Sequence, residues 1–137
     1  MDYAAFTRAL TEDIRANGRP TSGPMAGQPL MILTTSGAKS GEPREAIVTY
    51  SRDGDRYVIA ASKSGAPDNP AWYHNLRAHP QVSVETGGET FRARASVANG
   101  EERERLWNQH ATELPQFQEY PTKTERVIPV IVLERAA

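Results

Sequence analysis

Two turn dipeptides, Asp53-Gly54 and Gly87-Gly88, each stand between short runs rich in β-branched and aromatic residues, and they limit this chain's fold more than any other feature. Such dipeptides supply the positive φ angles of tight turns whose twist matches that of paired antiparallel strands. They predict two hairpins, 46–51 with 56–62 and 82–86 with 90–97. In the second, Phe91, Ala93, Ala95 and Val97 alternate with Arg92, Arg94 and Ser96, so one face is apolar and the other wet. Residues 30–35 read as a further buried strand. The closing run VIPVIVLE reads as a strand too, and Pro129, which cannot donate to a ladder, predicts an edge position or a bulge there. No strand–helix–strand alternation is present.

Helical spacing of Tyr3, Phe6, Leu10 and Ile14 predicts an N-terminal helix within 1–18, stopped by Asn17-Gly18. Residues 19–28, with four Gly or Pro and no periodicity, read as a loop. Pro70 opens the short helix AWYHNLRAHP, with Asn69 as its cap. Asn99-Gly100 precedes the acid-started helix EERERLWNQHATEL, whose Leu106 and Trp107 must face the sheet, and PQFQEYP reads as another helical turn or a loop. Five or six mostly antiparallel strands with two or three short helices predict a mainly β (α+β) fold, a small barrel or strongly bent sheet. A length of 137 residues predicts one domain, 1–137.

Composition removes several functions. Sixteen basic against seventeen acidic side chains give no electrostatic reason to expect nucleic acid or an anionic membrane. The absence of cysteine excludes disulfides, thiolate nucleophiles, zinc–thiolate sites and iron–sulfur clusters together. The N-terminus lacks the apolar region of a signal peptide, and no apolar stretch approaches the ~18 residues of a membrane span. The expectation is a cytoplasmic protein with no stable membrane insertion, a monomer or weak dimer. His74, His79 and His110 have no metal-ligand spacing, so no metal site is expected, and no serine sits in a nucleophile elbow. Residues 18–23 have the glycine spacing of a P-loop, but Pro24 stands where its lysine belongs.

What remains is the tripeptide Lys-Ser-Gly, which occurs twice, each time just after a run that reads as a strand. It places Lys39 and Lys63, two of only three lysines in the chain, in small Gly/Ser-rich turns. Backbone N–H groups of such a turn can converge on one oxyanion, with the ammonium adding a mobile charge beside it. Two such turns suit a phosphate-bearing cofactor. A cofactor carrying its own chemistry needs no nucleophile or metal from the protein, so redox chemistry leads.

Residues 33–44, LTTSGAKSGEPR, resemble the LTTxGxKSGxPR element of the deazaflavin-dependent nitroreductases, actinobacterial proteins that use coenzyme F420. The resemblance continues through DGDRYVIAASKSGAPDNPAWYHNLRAHPQVSVE (53–85), GEERERLW (100–107) and RVIPVIVLE (126–134). It implies an FMN-binding-like split β-barrel of antiparallel strands with short peripheral helices, and an F420-dependent reductase passing a hydride to a small electron acceptor: a quinone, unsaturated lactone or nitroaromatic. The coenzyme, with its phospholactyl phosphate and polyglutamate tail, is more anionic than FMN. Lys39, Arg44 and Lys63 would meet that charge, with Ser40 and Gly41 completing the first turn. Ala61, Ser62, Gly65 and Ala66 would let the backbone approach closely. Trp72 resembles the family's tryptophan near the ring, and Pro70 and Ala71 would aim a helix N-terminus at negative charge.

Tyr120 matches a tyrosine that relatives carry in the substrate-facing segment, and is the candidate hydrogen-bond donor to the acceptor. Phe117 and Leu114 stand where the nitroimidazole-reducing members have tyrosines, so the resemblance does not carry those members' acceptor range over to this chain. Phe117 is expected on the substrate side. Tyr50 is a further substrate candidate that faces either the pocket or the core. Two other readings belong to the same barrel: an FMN-dependent oxidase or reductase, which would purify yellow, and a non-catalytic F420 carrier, which would bind the coenzyme yet oxidise it with no acceptor.

Overall fold

The computed structural model describes residues 2–136, apart from the side chain of Ser64. Seven strands, β1 (Leu30–Ser36), β2 (Pro43–Thr49), β3 (Ser51–Asp53), β4 (Arg56–Ala60), β5 (Gln81–Thr86), β6 (Glu89–Val97) and β7 (Val130–Arg135), form one sheet in the order β2-β1-β5-β6-β7-β4-β3. All its pairings are antiparallel. Three helices flank it, α1 (Tyr3–Asn17), α2 (Ala71–Ala78) and α3 (Gly100–Glu113), with 3-10 segments at Lys63–Gly65 and Pro115–Thr122.

The β5–β6 hairpin forms as expected, in register from Gln81↔Arg94 to Thr86↔Glu89. The hairpin around Asp53-Gly54 is shorter than the expected 46–51 with 56–62. Of the run before the turn only Ser51–Asp53 pairs with β4, while 43–49 runs the whole length of β1. The break falls at Tyr50, whose N–H turns to the Pro29 carbonyl at 2.9 Å, so the chain leaves one edge of the sheet and joins the other. A tight turn dictates its nearest residues, but burial decides what the rest of each run pairs with. Pro129 likewise marks neither an edge nor a bulge. β7 is central, between β6 and β4, and Pro129 sits just ahead of it, where a missing N–H removes no ladder bond and its carbonyl accepts from Ala61 at 2.9 Å.

Strand alternation separates two apolar surfaces. Met31, Leu33, Ile59, Val84, Ile131 and Leu133 point into the barrel, with Tyr73 and Leu76 of α2 packed against them. Leu30 and Ile32 face outward under Ile14 of α1, and Val58, Val130 and Val132 face outward under Leu106 of α3. Helices therefore cover the strands that are apolar on both faces, as such strands require. An Arg52–Tyr57–Phe91–Arg135 column belongs to the inner surface: the two rings stack at 5.5 Å and each guanidinium lies 4.0 Å from its ring.

α1 is fastened mainly at its C-terminal end. Gly18 ends it at φ 80°, and its carbonyl accepts from Gly87 at 2.9 Å. A Cβ on Gly18 would come within 2.9 Å of the Gly88 nitrogen, so only glycine allows this contact with the β5–β6 turn. Arg15 bonds Glu45 and Glu85 at 2.6 and 2.9 Å. At the other end Tyr3 is 78% exposed.

Candidate active site

β4 ends at Ala60, and the second Lys-Ser-Gly turn follows as a 3-10 turn closed by Gly65 N–H on the Ser62 carbonyl at 2.9 Å. Lys63 holds φ 46°, a left-handed conformation that costs a side-chain-bearing residue about 1 kcal/mol. Gly65 holds φ 81°, and a Cβ there would meet the Lys123 Cβ at 2.7 Å. The third lysine of the chain thus lies against the loop that carries the second. Arg126 also reaches this loop, donating to the Ser62 and Ala66 carbonyls at 2.8 and 2.9 Å and to Asn69 Oδ1 at 2.7 Å. That use of Asn69 corrects its expected role: the cap of α2 is Pro70, with no side-chain capping bond.

Ser62, Lys63, Pro70, Trp72, Phe117 and Tyr120 all line one cavity of about 690 Å³. Its walls include residues 45–49 of β2 and Ala60 of β4, strands that do not pair with each other, and the cavity occupies this opening in the barrel. Tyr3, Phe6 and Leu10 of α1 and Met25 of the following loop border it as well. The apolar stripe predicts a helix that either packs on the barrel or closes the pocket, and α1 does both: Ile14 packs on the sheet while Tyr3, Phe6 and Leu10 border the cavity.

Phe117 and Tyr120 stand one helical turn apart on the 3-10 segment, their rings edge to face at 5.1 Å. Phe117 is buried, held by the His110 ring at 4.4 Å and by Trp107 at 6.4 Å. His110 is fully buried, with Nδ1 2.7 Å from Ser51 Oγ and Nε2 without a hydrogen-bond partner among the described residues. Burial pushes its pKa down to about 4, so it stands neutral behind the aromatic wall. Leu114 is also buried there.

The first Lys-Ser-Gly turn does not line the cavity. Lys39, Ser40, Gly41 and Arg44 are exposed. The turn closes on itself, with Glu42 N–H on Ser40 Oγ at 3.1 Å and Gly41 at φ 73°, while Arg44 lies 3.5 Å from Glu42. What relates the two turns is α2. Asn75, buried on that helix, accepts from the Ala38 N–H at 3.0 Å and donates to Thr35 Oγ1 at 3.1 Å. The second turn leads directly into the same helix. Sequence reasoning passed over Asn75, Lys123 and Arg126, since none sits in a turn motif. Ala61 is fully buried in the barrel interior, Gly65 is buried, Ala66 half-buried and Ala71 exposed. Tyr50 lies elsewhere: its hydroxyl accepts from Thr86 Oγ1 at 3.3 Å, its ring meets Tyr57 edge-on at 5.3 Å, and it borders a separate depression.

The cavity offers an indole, apolar walls and a cation-bearing turn at one side, a donor set that suits a planar ring with an anionic tail. The family model for F420H2-dependent quinone reductases matches residues 6–135. The chain belongs to this family. As a member it is an F420-dependent reductase. It is 39% identical over 122 residues to an F420H2-dependent quinone reductase of Mycobacterium tuberculosis, across 87% of this chain and 82% of that one. A solved structure of an F420H2-dependent reductase is 40% identical, with a TM-score of 0.72 over 77% of this chain and 94% of that one. Another, described as a domain-swapped dimer, is 36% identical with a TM-score of 0.74 over 96% of this chain and 98% of the other. In this quinone reductase family member, the curled antiparallel sheet is thus a split β-barrel. No helix among the described residues is long and apolar enough to cross a membrane.

Proposed function

We propose that the chain reduces a quinone, or a similar conjugated carbonyl compound, in the cavity between β2, β4 and the 3-10 segment. The observation that carries this reading is the convergence of Ser62, Lys63, Pro70 and Trp72 with Phe117 and Tyr120 on one space. Reduced coenzyme F420 supplies a hydride, as an obligate two-electron donor. The protein's task is then alignment and exclusion of water.

Trp72 and Pro70 would hold the deazaflavin ring, and Lys63 would meet the phosphate. Ala61, Ser62, Gly65 and Ala66 form the close backbone approach, and Ala71 begins the helix directed at the negative charge. The exposed first turn, Lys39, Ser40 and Gly41 with Arg44, would meet the anionic tail, and Asn75 ties that turn to α2. Phe117 walls the acceptor, and the Tyr120 phenol donates a hydrogen bond to the acceptor oxygen as charge develops there. Tyr50 braces the barrel rather than the acceptor. The whole chain acts as one domain in the cytoplasm, as a monomer or weak dimer. Unsaturated lactones and nitroaromatics are the finer acceptor alternatives, the latter disfavoured by Leu114 and Phe117.

Screening quinones, lactones and nitroaromatics with reduced F420, and following recovery of the oxidised coenzyme's visible absorbance, tests the proposal. Quinone-dependent reoxidation is expected. Binding of F420 with no acceptor turned over would leave a carrier, and copurifying FMN that supports turnover would replace the coenzyme.

A further inference from the structure

We infer that Arg126 is a positioning residue: it holds the 62–69 loop in its coenzyme-binding form and joins that loop to the segment carrying Tyr120. The inference rests on the site reading proposed above. Its three bonds fall at three separate points of the loop, on Ser62 O, Ala66 O and Asn69 Oδ1. The loop's own backbone bonds, Gly65 N–H to Ser62 O and Ala66 N–H to Lys63 O, close only one tight turn. Within that turn Lys63, which carries a side chain, holds positive φ, so the conformation that presents it to the cavity has a backbone cost that contacts from outside the turn offset.

Only an arginine can make this clamp. Its guanidinium presents five donors in a rigid plane and reaches three acceptors at once, whereas a lysine ammonium on a flexible stem is one point. The same stretch of chain, from Phe117 to Arg126, supplies the acceptor wall, and Lys123 packs on Gly65. Movement of the coenzyme loop is thereby tied to movement of Tyr120.

The test compares wild type, Arg126→Lys, Asn69→Ala and the double variant, with F420 binding followed by tryptophan fluorescence and amide hydrogen exchange of 62–69 measured without coenzyme. Arg126→Lys is expected to raise the coenzyme Kd about ten-fold or more and to speed loop exchange, with little change in the melting midpoint. Asn69→Ala, which leaves the arginine in place and removes one acceptor, should raise Kd a few-fold. The double variant should be no worse than Arg126→Lys, because both changes break the same contact. Unchanged Kd in Arg126→Lys overturns the inference. So does a raised Kd with unaltered loop exchange, which would make Arg126 a direct ligand, or a lowered melting midpoint with unchanged Kd, which would make it a staple of the fold only. Should wild type itself fail to bind F420, the site reading falls instead, and the exchange comparison still decides whether Arg126 holds the loop.

Discussion

At the scale of single residues, the proposed site separates a charge from a phenol. Lys63 combines a cation with a strained backbone at φ 46°, so Lys63→Gly separates the two. Glycine should leave stability unchanged or raise it by up to about 1 kcal/mol, since it accepts this φ without strain. Loss of the charge-assisted contact should nevertheless raise the coenzyme Kd about ten-fold. Urea denaturation and a fluorescence titration on one preparation read both effects. Tyr120 is half-buried, edge-on to Phe117, with Lys123 Nζ 6.0 Å from its ring centre. Tyr120→Phe keeps the packing and removes only the donor, so kcat should fall roughly ten-fold while the coenzyme Kd holds. A variant with wild-type kcat on every acceptor would take the donor role away from Tyr120.

At the scale of elements, α1 has two different ends. The C-terminal end is fixed to the sheet by Ile14, by Arg15 on two glutamates and by the Gly18–Gly87 contact, whereas Tyr3, Phe6 and Leu10 border the cavity. Helix and pocket are thus one structure. Phe6→Ala should raise the acceptor KM several-fold with a small change in melting temperature, because Phe6 is half-buried and lies outside the buried clusters. Starting the chain at Gly27 should instead cost stability, by uncovering Leu30 and Ile32. Vesicle cosedimentation should be negligible with or without the helix. Strong sedimentation of the full chain would assign the apolar stripe to a membrane surface instead.

At the scale of the whole molecule, His110 makes the fold sensitive to acid. Its pKa of about 4 in the folded state lies below the ordinary 6.5, so between those values the unfolded chain binds the extra proton. Stability present above pH 6.5 is therefore lost as pH falls toward 4, by at most roughly 3 kcal/mol. Comparing urea midpoints at pH 7.5 and 5 should show a larger acid-induced drop in wild type than in His110→Gln. Equal drops would mean that other groups govern the acid limit. Because His110 backs Phe117, the same protonation should loosen the aromatic wall of the cavity before the sheet unfolds.

The sequence by itself determined what local chemistry controls: the β5–β6 hairpin, the stop of α1 at Gly18 and the antiparallel class. It also carried enough family pattern to indicate F420. Tertiary structure decided the rest. That β2 pairs with β1, and not with β4, follows from burying Ile47 with Leu30 and Ile32 under α1, a choice no turn dipeptide encodes. That β7 is central despite Pro129 follows from the proline standing one residue outside the ladder. Of the residues lining the candidate site, Lys63, Trp72, Phe117 and Tyr120 were legible because each lies in a recognisable stretch. Arg126 and Asn75 were not, since their partners lie 57–64 and 37–40 residues away in the chain. A side chain's hydrogen-bond partner at that separation is fixed only when the sheet curls and brings the loops around α2 together.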